Sequence, residues 1–312
     1  MTTDWDPDGD GERPIPDGHD FALLLTHDVD RPYKTHQSLY YALSDSGRRL
    51  QHLRDLLPGR NPYWQFDRVA RIEDKLGVRS AFYLLDEQPL RERPPGEWLS
   101  MDAWRLYGGR YDLTDPAIRS VVDDLRAGGW EVGLHGSYES FDDRERLRRE
   151  KARVESVVGE PVRGGRQHYL NLDVPETWAH HRALGLQYDA SPGSSSEAGF
   201  RYGHGVHRPF DDEFVVFPLT LMETALPDPG EDYDAAWAVC EDLLTEARDN
   251  RAVMSVLWHP RYFTERDFPG YAAVYRELVA WALDHGAWVG SPADFYDAAD
   301  LGERVDPAAH TP

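Results

Sequence analysis

Lysine is nearly absent: Lys34, Lys75 and Lys151 are the only three among 312 residues, so arginine carries almost all the positive charge. Acidic residues outnumber basic ones by 56 to 34, giving a net charge of −22. Such a surface repels nucleic acid and anionic membranes, which excludes both as partners. It also keeps a chain soluble in concentrated salt, so a halophilic protein is expected, one that loses structure when KCl is withdrawn. A lone cysteine, Cys240, excludes an intrachain disulfide framework and a multi-cysteine zinc site. It falls within a predicted amphipathic helix, where packing is its expected role. No apolar run reaches the ~18 residues of a membrane span. The opening stretch "MTTDWDPDGDGERPIPDGHD" has neither a basic nor an apolar region of an export signal, so a soluble cytoplasmic protein is expected. Neither a GxGxxG nor a GxxxxGK[ST] loop occurs, which argues against a nucleotide cofactor.

What remains is rich in core-forming residues: hydrophobic residues make up 40 % of the chain and ten are tryptophan. Residues 1–19 are acidic, Pro/Gly-rich and almost free of aliphatics, and read as a disordered or loosely attached tail; 301–312 read similarly. Between them lies one domain, 20–300. Apolar runs at 21–26, 79–85, 130–134, 161–165, 186–189, 214–218, 252–258 and 287–290 read as strands. Helical patterns fall at 64–76, 116–127, 142–157, 175–184, 233–248, 271–285 and 292–299. Continuous apolar strands alternating with helices predict a parallel sheet covered by helices. Seven or eight such units predict an α/β fold, a distorted (β/α) barrel of the TIM-barrel type, with an open doubly wound sheet as the alternative.

In such folds the chemistry gathers where strands end. Here the strand ends carry His27, Asp28 and Asp30; His135 and Glu139; Arg166 and His168; Asp189; and His259. Taken singly, each has an ordinary structural reading as a turn, cap, ion pair or satisfied histidine. Their recurrence at five strand ends out of eight points to an enzyme.

Their order resembles the polysaccharide deacetylase (NodB-homology) family of metal-dependent amide hydrolases. The matching segments are Thr26-His27-Asp28-Val29-Asp30, Gly133-Leu134-His135-Gly136-Ser137-Tyr138-Glu139, Arg166-Gln167-His168-Tyr169, Tyr188-Asp189-Ala190-Ser191 and Val256-Leu257-Trp258-His259-Pro260, within residues 20–297. The resemblance implies Asp28 as general base, His259 as the acid that protonates the leaving amine, Arg166 as the group positioning Asp28, and Asp189 as a tuning carboxylate. It also implies a divalent metal, zinc above others, on Asp30 and His135. Glu139 stands where the family has its second metal histidine; either Glu139 or His168 would complete the set. His27 reads as a pocket wall or a supporting group.

Two long insertions, 86–114 and 189–210, would shape the substrate site. The first holds Trp98, Trp104, Tyr107 and Tyr111 with Gly108-Gly109 as a hinge; the second holds Phe200, Arg201, Tyr202, His204 and Arg208. Aromatics beside polar groups suit sugar rings, although packing is the commoner use of such residues. The expected function is removal of an N-acetyl or related acyl group from a carbohydrate. A hydrolase of a small cytosolic amide and a non-catalytic glycan-binding barrel are the alternatives. Oligomeric state is not legible.

Overall fold

Strand β1 (Phe21–Val29) runs through the middle of a parallel sheet and is buried along its whole length. The computed structural model describes residues 6–34, 38, 49–55 and 61–302. The sheet order is β6 (Val215–Val216), β5 (Tyr188–Asp189), β4 (Gly164–Gln167), β3 (Glu131–Gly136), β2 (Ala81–Leu85), β1, β8 (Val253–Leu257) and β7 (Leu221–Met222). All their pairings are parallel. A ninth strand, β9 (Ala287–Gly290), pairs with Phe21–Leu24, whereas β2 pairs with Thr26–Val29, so each partners half of β1. Among the described residues no pairing joins β6 to β7, leaving a barrel open at one seam. The result is the distorted (β/α) barrel predicted, incompletely closed.

Side chains alternate across a strand, and here the alternation divides two cores. Phe21, Leu23, Leu25, Phe82, Leu84, Val132, Leu134, Met254 and Val256 pack outward against helices. Ala22, Leu24, Ala81, Tyr83, Tyr188, Val215 and Val253 fill the inside. Gly164 stays side-chain-free because a Cβ there would fall 2.4 Å from the Tyr188 ring.

The outer layer consists of α2 (Phe66–Leu76), α4 (Pro116–Ala127), α5 (Arg144–Val158), α6 (Glu176–Ala183), α7 (Tyr233–Asn250), α8 (Tyr271–Asp284) and α9 (Pro292–Ala298), close to the predicted spans. Several begin with carboxylate caps: Asp115, Asp143 and Asp232 accept from Ala117, Arg146 and Ala235 backbone N–H groups at 2.9–3.0 Å. Each such cap contributes about 1 kcal/mol. Cys240 is buried on α7, and burial pushes its thiol up to about 12. Two short helices, α1 (Arg49–Arg54) and α3 (Met101–Tyr107), and strand β7 were not predicted. None has enough residues to show a period.

From residue 6 onward the N-terminal segment corrects the reading of a loose tail; residues 1–5 of that tail lie outside the described residues. Glu12 and Val206 exchange backbone hydrogen bonds at 2.8 and 2.7 Å, and the Gly205 N–H donates to Asp10 O. The approach needs glycine: a Cβ on Gly205 would lie 2.3 Å from Glu12 O. At the other end Leu301 is buried; residues 303–312 of the predicted C-terminal tail lie outside the described residues.

Candidate active site

Strand β1 extends three residues beyond its predicted end, so Thr26–Val29 of THDVD belong to the strand and Asp30 directly follows it. Alternation then sends Thr26, Asp28 and Asp30 one way and His27 the other. His27 faces the helices, packed beside Phe82, Phe263 and Tyr275. Its Nε2 lies 2.9 Å from Glu73 of α2, and its Nδ1 reaches the Trp258 carbonyl at 2.5 Å. The fully buried Glu73 also accepts from Ser80, Trp130 and Tyr275 at 2.6–2.9 Å. His27 is thus a member of a buried polar network behind the strand, not a pocket wall.

The inward face opens into a cavity of about 310 Å³ lined by Asp28, Asp30, His135, His168, His259 and Arg261 among others. Arg166 donates through Nη1 to Asp28 Oδ1 at 2.8 Å and Thr26 Oγ1 at 2.9 Å, and through Nε to the Ala190 carbonyl at 2.8 Å. Burial works against the Asp28 charge. Arg166 and His259 outweigh it and hold the carboxyl below its usual range. Asp28 is therefore ionised and fixed in orientation.

His259 follows β8 and sets its Nδ1 2.6 Å from Oε1 of Glu223. Its backbone N–H donates to the other oxygen at 3.3 Å. Burial opposes imidazolium formation, but Glu223 overcomes it and His259 is raised above an ordinary histidine. Because Nδ1 is committed to Glu223, Nε2 is the nitrogen that can serve the cavity.

Asp30 pairs closely with Arg261 Nη1. Burial would raise its carboxyl, yet Arg261, His259 and Arg31 drive it far below the usual range. The two histidines behind it form a chain whose partners fix the tautomers. His135 Nδ1 lies 2.9 Å from the Arg166 carbonyl, which can only accept, so that nitrogen carries hydrogen. Arg110 Nη2 lies 3.0 Å from His168 Nε2 and can only donate, so the His168 hydrogen sits on Nδ1. That N–H points at His135 Nε2, 3.1 Å away. Burial lowers both histidines, which favours these neutral rings.

This arrangement does not fit a divalent cation. A histidine ligand offers a lone pair, whereas His168 Nδ1 offers a proton to the nitrogen beside it. The Asp30 carboxylate already faces a guanidinium, and among the described residues no three His, Cys, Asp or Glu side chains converge on one point. Glu139 lies elsewhere. Arg93 grips it with two bonds of 2.8 and 2.9 Å, Arg146 adds one of 2.5 Å and Tyr107 one of 3.0 Å. These donors hold its carboxyl down at about 2.

Asp189 also stands apart from the cavity. It accepts from Trp178 Nε1 at 3.0 Å and from Ser191 N and Oγ at 3.1 and 2.6 Å. Ser191 Oγ in turn accepts from the Gln167 N–H at 2.8 Å, so Asp189 braces the strands that carry Arg166. Sequence reasoning missed Glu223, Arg261 and Arg110. Glu223 directly follows the two-residue β7, and Arg261 lies two residues after His259 in a short 3-10 helix, Pro260–Phe263, where strand alternation gives no signal. Arg110 reaches in from the first insertion, donating to Asp30 O at 3.1 Å, and carried no sequence signal. Arg201 and Arg208 face acidic partners, Glu197 and Glu12.

No family model and no curated protein sequence matches the chain. Solved structures do. A protein from Mycobacterium smegmatis designated a polysaccharide deacetylase superposes with TM-score 0.57 at 20 % identity, covering 93 % of this chain and 94 % of its own. Puue allantoinase superposes with TM-score 0.62 at 13 % identity, over 97 % and 99 % of the two chains. The fold is that of the polysaccharide deacetylases. A further protein bearing that designation, from Pseudomonas aeruginosa PAO1, gives TM-score 0.58 at 13 % identity over 95 % of each chain. Identities this low establish a polysaccharide deacetylase fold and leave the activity to the site itself.

Proposed function

We propose that the cavity is the active site of a hydrolase that cleaves an amide C–N bond. One observation carries the reading: the ionised Asp28 and the proton-retaining His259, each oriented by a buried partner of opposite charge, face the same cavity. These are the base and the acid that amide hydrolysis requires. Asp28 takes a proton from water as its oxygen bonds to the carbonyl carbon, and the π electrons move to the carbonyl oxygen. When the tetrahedral intermediate collapses, the C–N bond breaks and His259 Nε2 gives its proton to the departing nitrogen. Arg166 and Glu223 hold base and acid in place throughout.

The substrate reading is an N-acylated sugar, with Tyr169 at the cavity and the half-exposed Trp98 and Trp104 on the first insertion available for stacking. A small amide is the second reading, favoured by a cavity of only about 310 Å³. Purified protein incubated with N-acetylhexosamine conjugates and with short-chain amides is expected to release carboxylate from one of the two sets. Asp28→Asn and His259→Ala should each abolish that release. Sugar binding with no release from any substrate would support a glycan-binding barrel instead. The acidic surface supports action in salt-rich cytoplasm, tested by loss of structure on removing KCl; among the described residues no helix is long and apolar enough to cross a membrane.

A further inference from the structure

We propose that a fixed guanidinium replaces the metal ion of the cavity: Arg261 supplies the positive charge at the reacting carbonyl, and Arg110 locks His168 and His135 out of metal coordination. The role of Arg261 rests on the hydrolase reading; the lock does not.

The lock follows from donors and acceptors alone. Arg110 is partly buried, with its Nε on Leu106 O at 2.6 Å and Nη1 on Asp30 O at 3.1 Å, and Nη2 donates both to Leu106 O and to His168 Nε2, so the guanidinium is held by three anchors around the histidine. A metal on His168 Nδ1 would move the ring proton to Nε2, directly against a guanidinium that has no acceptor. At the other end, the Arg166 carbonyl holds the His135 proton on Nδ1, so Nε2 accepts from His168. The chain from Arg110 to Arg166 is hydrogen-bonded at every link.

Arg261 fits the chemical role of a fixed positive charge. It lines the cavity beside Asp28, Asp30 and His259, and its Asp30 partner fixes its orientation while leaving further N–H groups of its five-donor fork. Amide hydrolysis develops negative charge on the carbonyl oxygen, and that charge needs a positive partner. A guanidinium preoriented by Asp30 meets that charge without reorganisation.

Protein expressed with added zinc and dialysed is expected to carry far less than one equivalent, with Tm unchanged by EDTA. Nitrogen-15 spectra of the histidine rings should show His168 protonated at Nδ1 and bare at Nε2. Arg110→Met with Arg261→Met should bind zinc about 10- to 100-fold more tightly than wild type, the usual weight of groups just outside a metal's ligands. Should the double variant not fold, the wild-type zinc content and ring spectra decide alone. One equivalent of retained zinc, or a proton on His168 Nε2, would overturn the lock. With an active substrate in hand, hydrolysis should resist EDTA, and Arg261→Ala should lower kcat about 10²- to 10³-fold. Activity lost to EDTA and restored by zinc would refute the guanidinium role. If neither substrate set is hydrolysed, the hydrolase reading and the guanidinium role fail together, while zinc and ring measurements still judge the lock.

Discussion

Asp28 and His27 are neighbours on β1, both buried and both bonded to an oppositely charged or polar partner, yet they face different worlds. Asp28 looks into the cavity of about 310 Å³ with Arg166 behind it. His27 looks into a packed layer with Glu73, Tyr275 and Trp258 around it. The inward group can exchange a proton with a substrate; the outward one can only hold two layers together. Where a polar residue points on a buried strand, more than what it is, decides whether it serves chemistry or stability.

Four substitutions or titrations probe that contrast. Asp28→Asn keeps an oxygen for Arg166 and loses the base, so kcat on any active substrate should drop by about 10²- to 10⁴-fold. Circular dichroism should show the fold retained. His27→Ala should do the opposite, lowering stability by about 2–4 kcal/mol in urea titration through a cavity and the lost hydrogen bond to the buried Glu73, while the folded fraction keeps its kcat. A drop in kcat as large as that of Asp28→Asn would dissolve the distinction between the two faces.

The third is a pH profile. His259 sits above an ordinary histidine, so its contact with Glu223 stabilises the fold fully below about pH 6.5 and is lost as pH rises through its raised value. Catalysis should fall on the same alkaline limb as the acid deprotonates. Glu223→Gln should move that limb to lower pH; an unmoved limb would assign it to another group. The smallest effect is expected at Glu139→Ala. Its carboxylate is more than one-third exposed, so the change should cost about 1 kcal/mol or less and leave zinc content unchanged.

The sequence made the architecture legible because apolar runs and helical periods are long in the central units; helix 116–127 matches residue for residue. Strand β4 shows the limit. It was expected at 161–165 and lies at Gly164–Gln167, since two glycines give no periodic signal and Arg166 itself occupies the strand. For the site, the cavity gathers Asp28, Asp30, His135, His168 and His259, all singled out from strand ends. Glu139 was not gathered. Position in a motif gives no account of Arg93 and Arg146, which come from an insertion and a helix to claim it. Apart from Arg166, the arginine partners arriving from distant segments were illegible, and they weigh heavily in the electrostatics of the site.

Just past His168, Tyr169 and Leu170 both adopt φ of +58°, a left-handed backbone that costs a side-chain-bearing residue about 1–2 kcal/mol. Both border the cavity. Glycine at either position should therefore raise the melting temperature while removing a wall from the substrate's surroundings. Selection for heat resistance and selection for turnover would pull these two positions in opposite directions, and a library screened for stability alone should return them as glycine with the activity gone.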